Sequence, residues 1–329
     1  MGVGIIGTGK KLPKKILTNE EISEMVETDS QWIIDRTGIE SRHICREETG
    51  LELAAEAARQ SLIGISPESI DLVIVATATP DMIVPSMGAL VKRELGLKNA
   101  VAFDVNTACS GFIYAVWMAE ALMKSGAASN GATNQINRAL IIGVERLSRI
   151  VNWKDRGTCI IFGDGAGSAV LQLDENKKGI IGSFIKNYDD VSNSLTCGIE
   201  YLKTPFHGDN ETSDMYLKMN GTQVFKFAVK AVEEVMKKVF EQTGVTPDEV
   251  AYFIPHQANM RIITAAAQRF KQPIEKFQVN IQTTGNVSAA SVPMVLSDLM
   301  ESGKVKPGDK LMMVGFGGGL SAGAILFEV

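Results

Sequence analysis

Hydrophobic and polar positions along the chain fall into two alternating regimes. Short β-branched or otherwise apolar runs, Asp71-Leu-Val-Ile-Val-Ala76, Ala139-Leu-Ile-Ile-Gly143 and Val250-Ala-Tyr-Phe-Ile254, have the composition of central strands. Val101-Ala-Phe-Asp-Val105 reads as a short buried strand. Between these runs lie amphipathic stretches with start signals. Thr18-Asn-Glu-Glu21 and Thr49-Gly-Leu-Glu52 are capping boxes, predicting helices to about Glu27 and Ile63, and Thr246-Pro-Asp-Glu249 is a third ahead of Val250. Ser30 to Gly38 gives one or two turns ending at a glycine, Pro85 opens a further helix, and a long helix covers about Gln223 to Gln242. From Ser110 to about Ser125 the residues are apolar on every side, which predicts a helix enclosed all round. Thr158 to Leu173 reads as two strands about a glycine turn holding Asp164, and Leu311 to Phe327 as another such pair.

The pattern repeats. Gly179-Ile-Ile-Gly-Ser183 echoes Gly4-Ile-Ile-Gly-Thr8, the Val250–Ile254 run stands in the order of the Leu72–Ala76 run, and Leu311–Phe327 parallels Thr158–Leu173. Asp174-Glu-Asn-Lys-Lys-Gly179 is the most polar break, so two similar halves are expected, residues 1–174 and 175–329. Strands alternating with helices make the class α/β, with mixed or parallel sheets covered by helices. The polar Ala127–Asn137 stretch reads as a surface excursion, and Asn187–Ser213 as loop.

Composition narrows the function. A chain of 329 residues with 45% hydrophobic and 22% charged content supplies a large core. A net charge of −5 argues against nucleic acid as the main partner. Cys45, Cys109, Cys159 and Cys197 are spaced neither as a disulfide framework nor as a zinc site, which suits a reducing cytoplasm. The start lacks a secretory signal, and the one long uncharged run, Leu311 to Phe327, is too glycine-rich for a membrane helix. Gly2-Val-Gly-Ile-Ile-Gly7 matches a dinucleotide fingerprint, but its glycines lie within a strand and no helix follows, so the match is read as coincidental.

Candidate chemistry centres on Cys109. It stands where the Val101–Val105 strand turns into the apolar helix, and the free N–H groups of a helix start favour a thiolate there. An inert buried thiol is the competing reading. His256 follows a strand in the second half and precedes a helix, and Asn286 opens another helix from the Thr283–Ala290 loop. Thiol, imidazole and carboxamide at three element ends suit acyl chemistry. Trp32 and Arg36 share a helical face, able to stack on a purine and hold a phosphate, although a packing Trp beside a solvated Arg has the same spacing.

Trp32 with Arg36-Thr-Gly-Ile39, Asn106-Thr-Ala-Cys-Ser-Gly111, Arg156-Gly-Thr158, Gly163-Asp-Gly-Ala-Gly167, His256-Gln-Ala-Asn259, Gly285-Asn286 and Gly315-Phe-Gly-Gly-Gly319 occur in order over nearly the whole chain. Together they resemble the β-ketoacyl-acyl-carrier-protein synthase III family. The resemblance implies the thiolase fold, two duplicated αβ halves in a five-layered αβαβα body, working as a homodimer. It implies that Cys109 takes an acyl group from acyl-CoA, with the N–H groups of Cys109 and Gly318 as oxyanion hole. Malonyl-acyl-carrier protein then loses carbon dioxide while His256 and Asn286 stabilise the enolate, and the carbanion attacks the acyl-Cys. Trp32, Arg36 and Arg156 would hold the nucleotide of CoA, Asn259 would lie beside the pantetheine arm, and Arg261, Arg269 and Lys271 would dock the carrier protein. No metal and no cofactor is implied, acyl-CoA being a substrate.

Gly319-Leu-Ser-Ala-Gly323 departs from the family's frequent Gly-Phe-Thr-Trp-Gly, and Asp81-Met-Ile-Val-Pro85 resembles its acyl-pocket loop. Starter preference therefore stays open, with straight-chain acetyl-CoA as the default and a specialised condensing role in secondary metabolism as the alternative. A thiolase is rejected because no cysteine follows Cys197 to serve as its second thiol. A non-decarboxylating acyltransferase keeps the same residues. A cysteine hydrolase lacks its C-G-S-C-W signature, and a dehydrogenase would rest on Gly2–Gly7 alone.

Overall fold

The computed structural model describes residues 2–127, 135–174, 178–198 and 215–329. Most of the Ala127–Asn137 and Asn187–Ser213 stretches, and the middle of the polar break after Asp174, lie outside the described residues. A nine-stranded sheet runs through the molecule: β1 (Gly2–Lys11), β2 (Leu72–Ala76), β3 (Val101–Val105), β4 (Arg138–Arg146), β5 (Asp164–Asp174), β6 (Gly179–Asn187), β7 (Val250–Pro255), β8 (Lys310–Gly317) and β9 (Ser321–Glu328). Its order is β7-β8-β9-β6-β1-β5-β4-β2-β3. Reading outward from the middle, β1-β5-β4-β2 and β6-β9-β8-β7 follow the same path. In each half the outer pair is parallel and the inner pairs antiparallel. The duplication legible in the chain is thus a duplication of topology. The half-sheets meet where Val3 of β1 pairs with Gly179 of β6. Gly179 has φ +57°, and a Cβ there would lie 2.1 Å from the Val3 carbonyl, so only glycine permits the join.

Helices complete five layers. On one outer face α1 (Gly50–Ser61) and α2 (Met87–Glu94) bury Leu53, Ala57, Leu90 and Val91 against Val73, Val75, Leu140 and Ile142. Between the half-sheets lie α3 (Gly111–Lys124) and α6 (Ser291–Glu301), whose Phe112, Val116, Val295 and Leu296 share one core with Leu72, Ile74, Met313 and Ile325. The far face carries α4 (Gly221–Thr243) and α5 (Met260–Arg269), packed on Phe253, Met312, Val314 and Leu326. Along each central strand, alternate residues enter different layers: Val73 and Val75 face outward, Leu72 and Ile74 inward. This two-residue alternation, apolar on both faces, is why these strands read as continuous hydrophobic runs.

The capping boxes at Thr18, Thr49 and Thr246 form as expected. Four expectations are corrected. The helix after Thr18 spans only Asn19–Ser23. Thr158–Leu173 is not a strand pair: Arg156–Cys159 is a helical turn capped by Asp155, whose Oδ1 accepts from Gly157 N–H at 2.8 Å, and β5 begins at Asp164. β3 is an edge strand rather than a buried one, leaving Val101 40% exposed. The helix α3 is enclosed only in its first turns, and Trp117 is 38% exposed.

Candidate active site

Cys109 lies in a 3-10 turn, Ala108–Ser110, between β3 and α3. Ala108 adopts φ +46°, a left-handed conformation costly for a residue with a Cβ and typical of functional corners. Two contacts hold the corner. Asp104 of β3 accepts the Met87 and Gly88 N–H groups at 2.7 Å each, tying the strand to the start of α2. The Ser110 hydroxyl bonds that of Ser321 at 2.8 Å, joining α3 to β9. The glycine run ending β8 presses on this turn: a Cβ on Gly317 would stand 2.7 Å from Cys109 N and Cβ. Gly318, the residue expected to share an oxyanion hole, packs one step further out, against Ala108 and Leu195.

Helix-end geometry would lower the Cys109 pKa, but burial dominates and pushes the thiol up to about 12. The Ser288 hydroxyl pulls it back down, and the nearby Glu145 carboxylate pushes it further up. Burial thus opposes the helix-end effect expected from the sequence and holds the thiol above its ordinary value.

His256 follows β7, with its N–H donating to Val314 O of β8 at 2.7 Å. Its ring stands edge-on to Phe316 at 5.1 Å, and Nδ1 has no partner among the described residues. Burial lowers its pKa to about 3, so the imidazole is neutral. The next residue, Gln257, stands in the His256–Asn259 motif with no role assigned from the sequence. It is fully buried, donates to Pro255 O and accepts from Asn280 and Ile281 N–H, tying the His256 corner to the segment leading to Asn286.

Asn286 lies between Gly285 at φ +65° and Val287, with Ser288 at φ +44°. Its main chain bonds both ways with a segment of the first half: Asn286 N–H to Ile161 O at 2.9 Å, and Gly163 N–H to Asn286 O at 3.0 Å. Ser288 N–H donates to Asn286 Oδ1 at 2.8 Å, which leaves the Nδ2 end as the donor presented outward.

Cys109, His256 and Asn286 line one cavity of about 990 Å³. Three element ends from both halves thus face a common space. Trp32, Arg36, Arg156, Asn259 and Arg261 line it too, with Lys218 and Lys226, and no Asp or Glu among the described residues does. The guanidinium of Arg156 stacks 4.8 Å from the Trp32 ring and that of Arg36 at 5.5 Å, while Arg156 Nη1 donates to Glu27 O. The Trp32–Arg36 face is therefore both a cation–π stack and part of the rim. Asn259 caps α5 through Oδ1 and donates from Nδ2 to Arg36 O at 2.9 Å, so its carboxamide joins α5 to the helix Ser30–Thr37. Of the basic residues on α5, Arg261 stands at the cavity over Phe225, whereas Arg269 pairs with Glu233 of α4 at 2.7 Å. Lys271 is exposed beyond the helix end and lines no part of the cavity. Gly2–Gly7 lie within β1, paired to β5, and form no strand-to-helix loop.

Comparison with known proteins shows the family. Family models described as 3-oxoacyl-[acyl-carrier-protein] synthase III and its C-terminal domain match residues 103–188 and 240–329. The chain is 45% identical to a β-ketoacyl-[acyl-carrier-protein] synthase III of Clostridium perfringens over 327 residues, covering 99% of this chain and 98% of the relative. It is 45% identical to that of Aquifex aeolicus over 330 residues and the whole of both chains. The Aquifex aeolicus crystal structure superposes with a TM-score of 0.90 at 44% identity over all of both chains. A priming β-ketosynthase of the R1128 polyketide pathway superposes at 0.91 with 31% identity, covering 100% of this chain and 96% of the other. The chain belongs to the β-ketoacyl-[acyl-carrier-protein] synthase III family of thiolase-fold condensing acyltransferases.

Proposed function

We propose that this protein condenses an acyl-CoA starter with malonyl-acyl-carrier protein by decarboxylation, through an acyl-Cys109 intermediate, to initiate fatty acid synthesis. The observation that carries the reading is the convergence of Cys109, His256 and Asn286, from both halves of the fold, on one cavity with a cationic, carboxylate-free lining among the described residues. We assign residues 1–174 to the half carrying the nucleophile and 175–329 to the half carrying the imidazole and carboxamide.

In the first step Cys109 Sγ attacks the thioester carbonyl of acyl-CoA. Its proton leaves Sγ as the new bond forms and ends on the departing CoA sulfur, so the exchange consumes no net base, although burial, which raises the thiol pKa, works against that loss. Backbone N–H groups of Cys109 and Gly318 take the oxyanion, in a turn that Gly317 lets β8 approach. Trp32, Arg36 and Arg156 receive the adenine and phosphates, for which stacked guanidinium groups and an indole supply planar and cationic partners. Asn259 stands beside the pantetheine arm. In the second step the malonyl thioester loses carbon dioxide, and its carbonyl oxygen gathers charge. A neutral His256 and the outward Nδ2 of Asn286 donate to that oxygen. An imidazole kept neutral by burial cannot form a lasting ion pair with the malonyl carboxylate, so its hydrogen bond favours the enolate over the ground state. The carbanion attacks the acyl-Cys109 carbonyl, the tetrahedral adduct expels the Cys109 thiolate, and the sulfur regains a proton from solvent.

Carrier-protein docking is assigned first to Arg261 at the rim, then to Lys271 and Arg269, the last already engaged with Glu233. The working unit is a cytoplasmic homodimer that binds neither nucleic acid nor membrane and needs no metal or cofactor. Support for the dimer lies in the edge of β3, unpaired among the described residues, and the exposed Ile83, Val84 and Trp117. No helix among the described residues is long and apolar enough to cross a membrane.

Mass spectrometry after incubation with a panel of acyl-CoAs and malonyl-carrier protein tests the reading. A β-ketoacyl product two carbons longer than the starter is expected, with acetyl-CoA the preferred straight-chain substrate. Cys109→Ala is expected to abolish both the acyl-enzyme and the product. Acyl-enzyme formation followed by transfer without loss of carbon dioxide would replace this reading with that of a plain acyltransferase.

A further inference from the structure

Arg42 is a buried cation that the chemistry above does not use. It belongs to a short strand, Ser41–Ile44, paired antiparallel with Lys15–Thr18, and its side chain is among the largest that are fully buried. No carboxylate among the described residues forms an ion pair with it. Its guanidinium donates instead to neutral oxygens: Nη2 to Ile160 O at 2.6 Å, and Nη1 to Asn19 Oδ1 at 2.8 Å and to Leu17 O at 3.3 Å. Nε has no partner among the described residues. Burial lowers its pKa to about 10, which leaves it charged at neutral pH. The Glu20 carboxylate acts on it through space without bonding it; a charge so deeply buried is costly, and hydrophobic replacements of buried ionic groups often stabilise a fold. Stability alone therefore gives little reason for a guanidinium here.

The location supplies one. The Arg42 stem is wedged between two glycines of different halves: a Cβ on Gly163 and a Cβ on Gly285 would each lie 3.1 Å from Arg42 Cβ. Gly163 and Gly285 flank the bridge at which Phe162 pairs with Asn286, closed by the hydrogen bonds Asn286 N–H to Ile161 O and Gly163 N–H to Asn286 O. The head of the same side chain holds Ile160 O, immediately before that bridge. Ile160, Ile161, Phe162 and Asn286 all line the cavity. One side chain thus fixes the strip of first-half backbone on which the second-half carboxamide is hung.

We propose that Arg42 is a positioning residue for Asn286, setting the carboxamide for enolate stabilisation by clamping the Ile160–Gly163 segment beneath it. It acts through Asn286 rather than on the reacting atoms, and Cys109 is held chiefly through Asp104, Ser110 and Gly317, with Ser288 linking it to the Asn286 loop. The inference rests on the proposed role of Asn286 in decarboxylation, and it separates the half-reactions: Arg42 serves the second and not the first.

The experiment compares Arg42→Lys, Arg42→Gln and Asn286→Ala with the unmodified protein, scoring Cys109 acylation by acetyl-CoA, carbon dioxide release from malonyl-carrier protein, and thermal unfolding. Arg42→Lys retains a donor and an aliphatic stem, so it guards against an Arg42→Gln chain that fails to fold. The expected result is acylation within about threefold of the unmodified protein and decarboxylation reduced at least tenfold in kcat, with a smaller change in KM. Arg42→Lys is expected to fall between the unmodified protein and Arg42→Gln. Equal losses in both half-reactions, following the folded fraction, would make Arg42 merely structural and overturn the proposal. Unchanged decarboxylation in folded Arg42→Lys and Arg42→Gln would overturn it too. If Asn286→Ala itself decarboxylates normally, the role given to Asn286 fails, an outcome distinct from the failure of Arg42 alone.

Discussion

Glu145, at the end of β4, is fully buried beside the nucleophile. Its carboxylate accepts from Thr79 Oγ1 at 2.6 Å and from Ala78 N–H, yet burial outweighs these bonds and raises its pKa from 4.5 to about 7. A carboxyl that holds its proton more tightly folded than unfolded contributes stability that is complete below about pH 4.5 and lost as pH rises through about 7. Relative to Glu145→Gln, whose side chain does not titrate, the unmodified protein should lose about 3 kcal/mol across that window. Denaturant unfolding of both proteins at intervals between those pH values measures the difference. His256 titrates in the opposite sense, favouring the fold above about pH 6.5, but it is present in both proteins and cancels. A difference flat with pH would mean that Glu145 is ionised throughout.

At the scale of elements, the site depends on how closely β8 approaches the turn before α3. The family resemblance implies an oxyanion donor at Gly318; the tightest approach is at its neighbour Gly317, where an added Cβ would collide with the backbone of Cys109 at 2.7 Å. Backbone cannot swing aside as a flexible side chain can. Gly317→Ala should therefore cost about 1–3 kcal/mol of stability and slow Cys109 acylation at least tenfold. At Gly318 the nearest atom is a Leu195 methyl at 3.3 Å, so Gly318→Ala, which keeps its N–H, should acylate nearly normally. Unfolding midpoints and the rate of acyl-enzyme formation distinguish the two. Equal behaviour of the two variants would contradict this account of the corner.

At the scale of the whole molecule, β3 is an open edge among the described residues and several large apolar side chains stand in water, with Ile83 84% and Val84 82% exposed. Light scattering is expected to give twice the chain mass of 35.5 kDa. Trp117→Glu, which places a charge on the exposed side of α3, should shift the protein toward the monomer. A monomer in the unmodified protein at micromolar concentration would remove the proposed dimer.

Much of this was legible in the chain. The strand runs of the two central half-sheets, the capping boxes and the doubled order of elements follow from local periodicity and local hydrogen bonding, which neighbouring residues decide. Cys109, His256 and Asn286 were visible as chemistry-bearing residues at element ends, because a strand-to-helix corner leaves its own signature in the hydrophobic pattern. Only the tertiary structure decided that the three face one cavity, that β3 lies at an edge, and that burial raises the thiol and neutralises the imidazole. Likewise Arg42, Gln257, Ser288 and Glu145 carry no local signal, since each acts on residues far along the chain. Solvent exclusion and long-range packing are sums over the whole fold, and no window of sequence contains them.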